Sequence, residues 1–118
     1  MTERKPFVAG NWKMNMGREA THALLTALKE ILVGQCDDVD VVVAPPFTSL
    51  AAAEAALVGA GIRLSAQTMH AASSGAFTGE ISASMLIDSG VEFVILGHSE
   101  RRQLFGETDE GVRQKVEA

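Results

Sequence analysis

The chain has a single cysteine, Cys36, in 118 residues, so no internal disulfide can form. That usage suits a reducing compartment. Positive charge is also scarce: ten Lys and Arg against fifteen Asp and Glu leave a net charge of −5. There is no overall basic field to hold nucleic acid, although a local basic spot would still bind an anion. No apolar run is long enough to span a bilayer, and the polar start Thr2-Glu3-Arg4-Lys5-Pro6 leads into no signal-peptide core. The chain is therefore expected to be soluble and cytoplasmic, with neither nucleic acid nor membrane as a partner. His22, His70 and His98 lie far apart, with neither a His-Glu-x-x-His pattern nor a cysteine pair beside them. No P-loop is present, and Gly59-Ala60-Gly61 precedes a strand-like run and lacks the third glycine of a dinucleotide fingerprint. No metal site is expected.

What is present is ordinary globular material, 47% hydrophobic and 21% charged. The length suits one domain. Short apolar runs alternate with helical patterns. Phe7-Val8-Ala9, Val39 to Ala44, Ile62 to Ala66 and Val91 to Leu96 read as strands, the second and fourth as buried ones. Between Gly17 and Val33, the residues Ala20, Leu24, Leu28, Ile31 and Leu32 make one apolar helical stripe, stopped at Gly34. Thr48 or Ser49 is placed to cap an Ala-rich helix running to Leu57. Ser82 to Ile87 predicts a shorter helix, and Thr108 with Asp109 is placed to cap a last one carrying Val112 and Val116.

The order β-α-β-α-β-α-β-α implies a parallel sheet with helices packed on it and right-handed crossovers. The connection from Gln67 to Gly79, rich in Ser, Gly and Ala, has the length of a functional or interfacial loop. The final helical pattern runs into Ala118 with no stop signal. It reads as a frayed end or as a chain cut from something longer.

Two strand ends carry candidate chemistry. Asn11 and Lys13 follow the first strand, and on an extended segment residues two apart project the same way. Ligand sites in parallel α/β folds lie at the carboxyl ends of strands. A solvent lysine beside a core tryptophan, Trp12, is the plain alternative. His98 follows the fourth strand. If a short helix starts there, its backbone N–H groups disfavour a cationic imidazole. A neutral imidazole still donates a hydrogen bond to a carbonyl oxygen. Gly97-His98-Ser99-Glu100-Arg101 partly matches a nucleophile elbow, but Arg101 stands where the last glycine belongs. A serine hydrolase built on Ser99 would also need a later histidine, and none follows His98. His22 in a helix and His70 in a loop are expected to be solvated.

These residues carry a resemblance. Ala9-Gly10-Asn11-Trp12-Lys13-Met14-Asn15 resembles the first active-site loop of the triosephosphate isomerase family. Gly75-Ala76-Phe77-Thr78-Gly79-Glu80-Ile81-Ser82 resembles its third loop. Leu96 to Arg102, with Phe105-Gly106-Glu107, resembles its fourth strand end and following turn, and Ala44-Pro45-Pro46 also fits. The match is in register over nearly the whole chain.

The resemblance implies half of a (β/α)8 barrel, the first four βα units. It implies a cofactor-free, homodimeric isomerase that interconverts dihydroxyacetone phosphate and D-glyceraldehyde 3-phosphate in glycolysis and gluconeogenesis. Lys13 would stabilise the phosphate and the developing enediolate, and Asn11 would orient Lys13 and the substrate oxygens. His98 would be the neutral electrophile, Glu100 a carboxylate supporting Lys13 and proton movement, and Ser99 would help order the His98 turn. Gly75, Ala76, Phe77 and Thr78 would form the loop tip that reaches into a partner subunit near Asn11 and Lys13.

A whole barrel needs roughly 250 residues and eight strands. The family's catalytic glutamate belongs to the region after the sixth strand and has no match here, so residues 1–118 read as the N-terminal part of one barrel domain. Without that base the isolated chain is expected to be inactive. The open edges of half a barrel are expected to drive self-association or capture of a C-terminal complement. The other reading is a non-catalytic half-barrel assembly module.

Overall fold

Four short runs rich in Val, Ile and Ala pair in parallel to make one sheet in the order β1-β2-β3-β4: β1 (Phe7–Asn11), β2 (Asp40–Ala44), β3 (Ile62–Ala66) and β4 (Val91–Val94). The structure, a computed structural model, describes residues 4–118; Met1 to Glu3, part of the polar start read above, lie outside them. Helices α1 (Arg18–Ile31), α2 (Leu50–Ala56) and α3 (Ala83–Asp88) connect successive strands. Two more, α4 (Ser99–Phe105) and α5 (Asp109–Glu117), follow β4.

Register assigns the two faces. Val41 pairs with Ile62, Val43 with Leu64, and Leu64 with Val91. These alternate residues face the helices, where Leu25, Leu50, Ala53, Leu57 and Leu86 complete the core. The other face carries Phe7, Ala9, Val42, Arg63, Ser65 and Phe93. Phe7 and Phe93 come from the two outermost strands, yet their rings meet edge to face with centroids 5.4 Å apart. Side chains from opposite edges touch only if the sheet is curled, so this face is concave. Between Leu64 and Ser65 the register with β4 slips by one, and Glu92 is the extra residue.

Several expectations shift. The first strand runs past Ala9 to Asn11, because its ladder with β2 continues to the Asn11–Ala44 pair. The fourth stops at Val94; only Ile95 adds one further bond, its N–H donating to Ala66 O at 2.9 Å. Ser49 does not cap α2. A 3₁₀ turn over Phe47–Ser49 leads into that helix, and Ser49 Oγ donates to Met16 O at 2.8 Å instead. Thr108 does cap, accepting from Gly111 N–H, and Ser82, expected inside its helix, stands just before it as the cap and accepts from Met85 N–H. α4 forms beside the expected four helices, its start made by His98 itself.

The sheet is not enclosed. Phe7 and Val8 are 52% and 59% exposed although they lie in a strand. The radius of gyration is 15.0 Å, against about 13.5 Å for a compact chain of this length. No helix among the described residues is long and apolar enough to cross a membrane.

Candidate active site

Asn11, Lys13, Gln67 and His98 all lie at or just past the carboxyl ends of β1, β3 and β4, at one end of the sheet. Lys13 is not extended, as its spacing from Asn11 had suggested. Its φ is +56°, a left-handed conformation that costs a residue with a Cβ roughly 1–2 kcal/mol. The neighbourhood holds it there by every polar atom. Lys13 N–H donates to Asn11 Oδ1 at 3.0 Å. Gln67 Nε2 donates to Lys13 O at 2.8 Å and to Ala44 O at 2.7 Å. Lys13 Nζ meets Glu100 Oε1 at 2.6 Å. Asn11 and Lys13 thus share a site, but through a turned backbone rather than parallel side chains.

His98 is the N-cap of α4, and its Nδ1 accepts from Glu100 N–H at 3.0 Å. A ring nitrogen that accepts must hold a lone pair, so the ring's single proton sits on Nε2. The Glu100 carboxylate approaches the same Nδ1 at 3.8 Å. That is too far for a hydrogen bond and aims at an atom already accepting one, so it is not an ion pair. The hydrogen bond from Lys13 is the main cause that holds the Glu100 carboxyl below its ordinary range; desolvation opposes it.

Behind His98 lies a second cluster centred on Glu107, whose side chain is only 5% exposed. It accepts from Gly97 N–H at 2.9 Å, Arg101 Nε at 3.1 Å and Lys115 Nζ at 2.6 Å. Burial pushes its carboxyl up, but Lys115 and Arg101 outweigh that and the net direction is down. Lys115 also reaches Thr68 Oγ1 at 3.4 Å, tying α5 to the end of β3. Gly97 has φ +67°, and a Cβ there would sit 2.9 Å from Arg102 Nη2 and 3.1 Å from Val112 Cγ2.

A cleft of about 210 Å³ opens between these elements, walled by Asn11, Lys13, Phe47, Gln67, Glu100 and Arg101 among others. His98 stands outside its wall, joined to it through Glu100. Ser99 is exposed, and its hydroxyl makes no hydrogen bond among the described residues. Gly75, Ala76, Phe77 and Thr78 do not join this cluster within one chain. Their loop folds on itself: the Phe77 ring lies 4.2 Å from that of His70, whose Nδ1 accepts from Ala72 N–H at 2.9 Å. His70 is therefore a fastener of that loop rather than a solvated residue. Among the described residues no group of three or more His, Cys, Asp or Glu side chains converges to hold a metal ion.

The sequence reading missed Gln67 as a site residue and assigned no role to Glu107 or Lys115. The Phe105-Gly106-Glu107 motif was the one available signal for Glu107. Nothing local signals Gln67, whose partners are carbonyls far along the chain.

The family model described as triosephosphate isomerase matches residues 6–118. The chain is 54% identical over 113 residues to triosephosphate isomerase of Magnetococcus marinus, covering 96% of this chain and 44% of that protein. The same identity is found with the enzyme of Alkaliphilus oremlandii, over 96% of this chain and 45% of the relative. The crystal structure of triosephosphate isomerase from Bartonella henselae superposes with a TM-score of 0.85 at 42% identity, over 98% of this chain and 47% of that one. The chain thus spans a little under half the length of the relatives it matches, and its four parallel strands with their helices correspond to half of a TIM barrel. On sequence and fold together, this chain belongs to the triosephosphate isomerase family.

Proposed function

We propose that the chain carries the lysine-and-electrophile half of an aldose–ketose isomerase site, acting on dihydroxyacetone phosphate and D-glyceraldehyde 3-phosphate through an enediolate. One observation supports this most: Glu100 serves both partners at once. Its carboxylate holds the Lys13 ammonium at 2.6 Å, while its backbone N–H holds His98 Nδ1 at 3.0 Å. The lysine is placed to stabilise negative charge, and the histidine is held as a neutral ring with its proton on Nε2.

Enolisation places charge on the substrate oxygens as the carbon-bound proton leaves. A fixed ammonium and a fixed N–H donor stabilise that charge without reorganising. A neutral imidazole donor is the form this family's own histidine uses. Asn11, by accepting from Lys13 N–H, keeps the lysine backbone in its left-handed turn. Glu100 supports Lys13 and proton movement. Gly75 to Thr78 form the tip that enters the partner subunit near Asn11 and Lys13, and the open 210 Å³ cleft beside Lys13 is the feature that would receive it.

Residues 1–118 form the N-terminal part of one barrel domain. The carboxylate that removes the proton from carbon belongs to another part of the barrel, and Glu100 cannot replace it while engaged with Lys13. General-base catalysis contributes typically ~10²–10⁴-fold, and the phosphate grip and water exclusion are lost with it. The isolated chain is therefore inactive. The test supplies the remaining barrel strands as a second chain and follows isomerisation. Lys13→Ala and His98→Gln should each lower kcat/KM by about 10²-fold or more. Retention of activity in either variant would remove the assigned role.

A further inference from the structure

We propose that Ser49 is a positioning residue for Lys13: its buried hydroxyl, bonded to the Met16 carbonyl, holds the far end of the loop that carries the lysine in a strained left-handed turn. This deepens the catalytic reading of Lys13 and rests on it.

The loop from β1 to α1 spans residues 12–17. It holds both non-glycine residues with positive φ among the described residues, Lys13 at +56° and Met16 at +78°. A glycine would take such a φ freely, but a side chain at that position must be held there by something else. Each of the two strained residues has its carbonyl bonded by a side chain from a different element. Gln67 Nε2 donates to Lys13 O at 2.8 Å, and Ser49 Oγ donates to Met16 O at 2.8 Å.

The two ends of the loop are held unequally. At its start, Trp12 N–H donates to Ala44 O at 3.1 Å, Lys13 N–H to Asn11 Oδ1 at 3.0 Å, and Asn15 Nδ2 to Trp12 O at 2.8 Å. At its exit, Gly17 is the N-cap of α1 and has no side chain with which to cap it. The bond from Ser49 is what ties the exit to the rest of the fold. Ser49 is fully buried, so a relaxed Met16 whose carbonyl turned away would strand a hydroxyl out of reach of water. That penalty matches or exceeds the strain of one left-handed residue, which keeps Met16 in its turn.

The consequence reaches the lysine because only Met14 and Asn15 lie between the two strained residues. A flip at Met16 turns a peptide plane that so short a segment must absorb, and Lys13 is the next strained point. The Lys13 ammonium sits 2.6 Å from Glu100 Oε1, so a displaced lysine loosens that contact. The 3₁₀ turn that ends in Ser49 also places Phe47 on the wall of the cleft beside Lys13. The competing reading is a hydroxyl that only fastens the start of α2.

Two readouts on Ser49→Ala separate these. The first is the titration midpoint of the Glu100 carboxyl, followed by NMR in the chain itself. It should rise toward the ordinary carboxylate value as the Lys13 contact loosens. The second is kcat/KM in the assay completed with the remaining barrel strands, which should fall about 10- to 100-fold. Met16→Gly removes the strain that Ser49 holds. Alone it should change neither readout, and combined with Ser49→Ala it should restore both. A folded Ser49→Ala with an unchanged Glu100 midpoint would overturn the proposal, whatever its unfolding midpoint. So would a shift that Met16→Gly does not reverse. If Ser49→Ala does not fold, the double variant decides, because a glycine at 16 must then restore the fold and the Glu100 midpoint; failure to do so would overturn the proposal. Absence of Lys13-dependent turnover in the completed parent would count against the catalytic reading instead, and the Glu100 midpoint would still measure the clamp.

Discussion

Glu100 bonds with two chemically different groups, and that division gives its titration a direction. Its carboxyl is held below the ordinary value of 4.5, chiefly by the bond to Lys13. The stabilisation it contributes is therefore complete above the ordinary range and is lost as pH falls through the lowered folded value. In Lys13→Met the midpoint should rise, followed as the carboxyl carbon shift of Glu100 by NMR; an unchanged midpoint would break the link between the two residues. Gln67 is tested differently. Gln67→Leu removes the donor to the Lys13 carbonyl and leaves Ala44 O with only its bond from Trp12 N–H, and should cost about 0.5–1.5 kcal/mol in urea unfolding. A cost within about 0.3 kcal/mol of zero would mean that Lys13 does not need the clamp. Asn11, Lys13 and His98 were legible because they stand together in short motifs at strand ends. Gln67 was not, because its partners lie 54 and 23 residues away and no local pattern encodes a side chain bonded to distant carbonyls.

The elements were easier to read than their caps and ends. Valine-rich and helical stripes are set by local spacing, so β2 and α1 fall close to their expected bounds. Ends depend on what lies opposite. β4 is shorter than its apolar run because the strand it pairs with, β3, ends at Ala66 opposite Val94, a consequence of pairing that its own sequence does not carry. Ser49 has the residue type of a cap, but the carbonyl of Met16 takes its hydroxyl. The turn between β4 and α4 places His98, and two substitutions probe it. Gly97→Ala forces a Cβ into the left-handed region and against Arg102 and Val112; it should cost at least about 1–2 kcal/mol by urea unfolding. Lys115→Met removes the closest cation from the buried Glu107 carboxylate, for an expected loss of about 1.5–3 kcal/mol. Its second signature is an upward shift of the Glu107 midpoint, and a midpoint that stays put would show that Arg101 suffices.

At the scale of the molecule, length alone misleads. A chain of 118 residues is a comfortable domain by number, although it spans a little under half the length of the relatives it matches. The structure is a curled four-stranded sheet with two open edges and about a quarter more surface than a compact monomer. At the site an ammonium, an amide and a neutral imidazole gather at the strand ends, and the Glu100 carboxylate beside them is committed to Lys13. Both follow if this chain supplies one side of an active barrel. The most direct measurement is isomerisation of dihydroxyacetone phosphate by the purified chain, alone and after addition of a second chain carrying the other barrel strands. No turnover is expected from the chain alone, and the mixture should turn over substrate in a way that Lys13→Ala abolishes. Lys13-dependent turnover by the 118-residue chain on its own would contradict that.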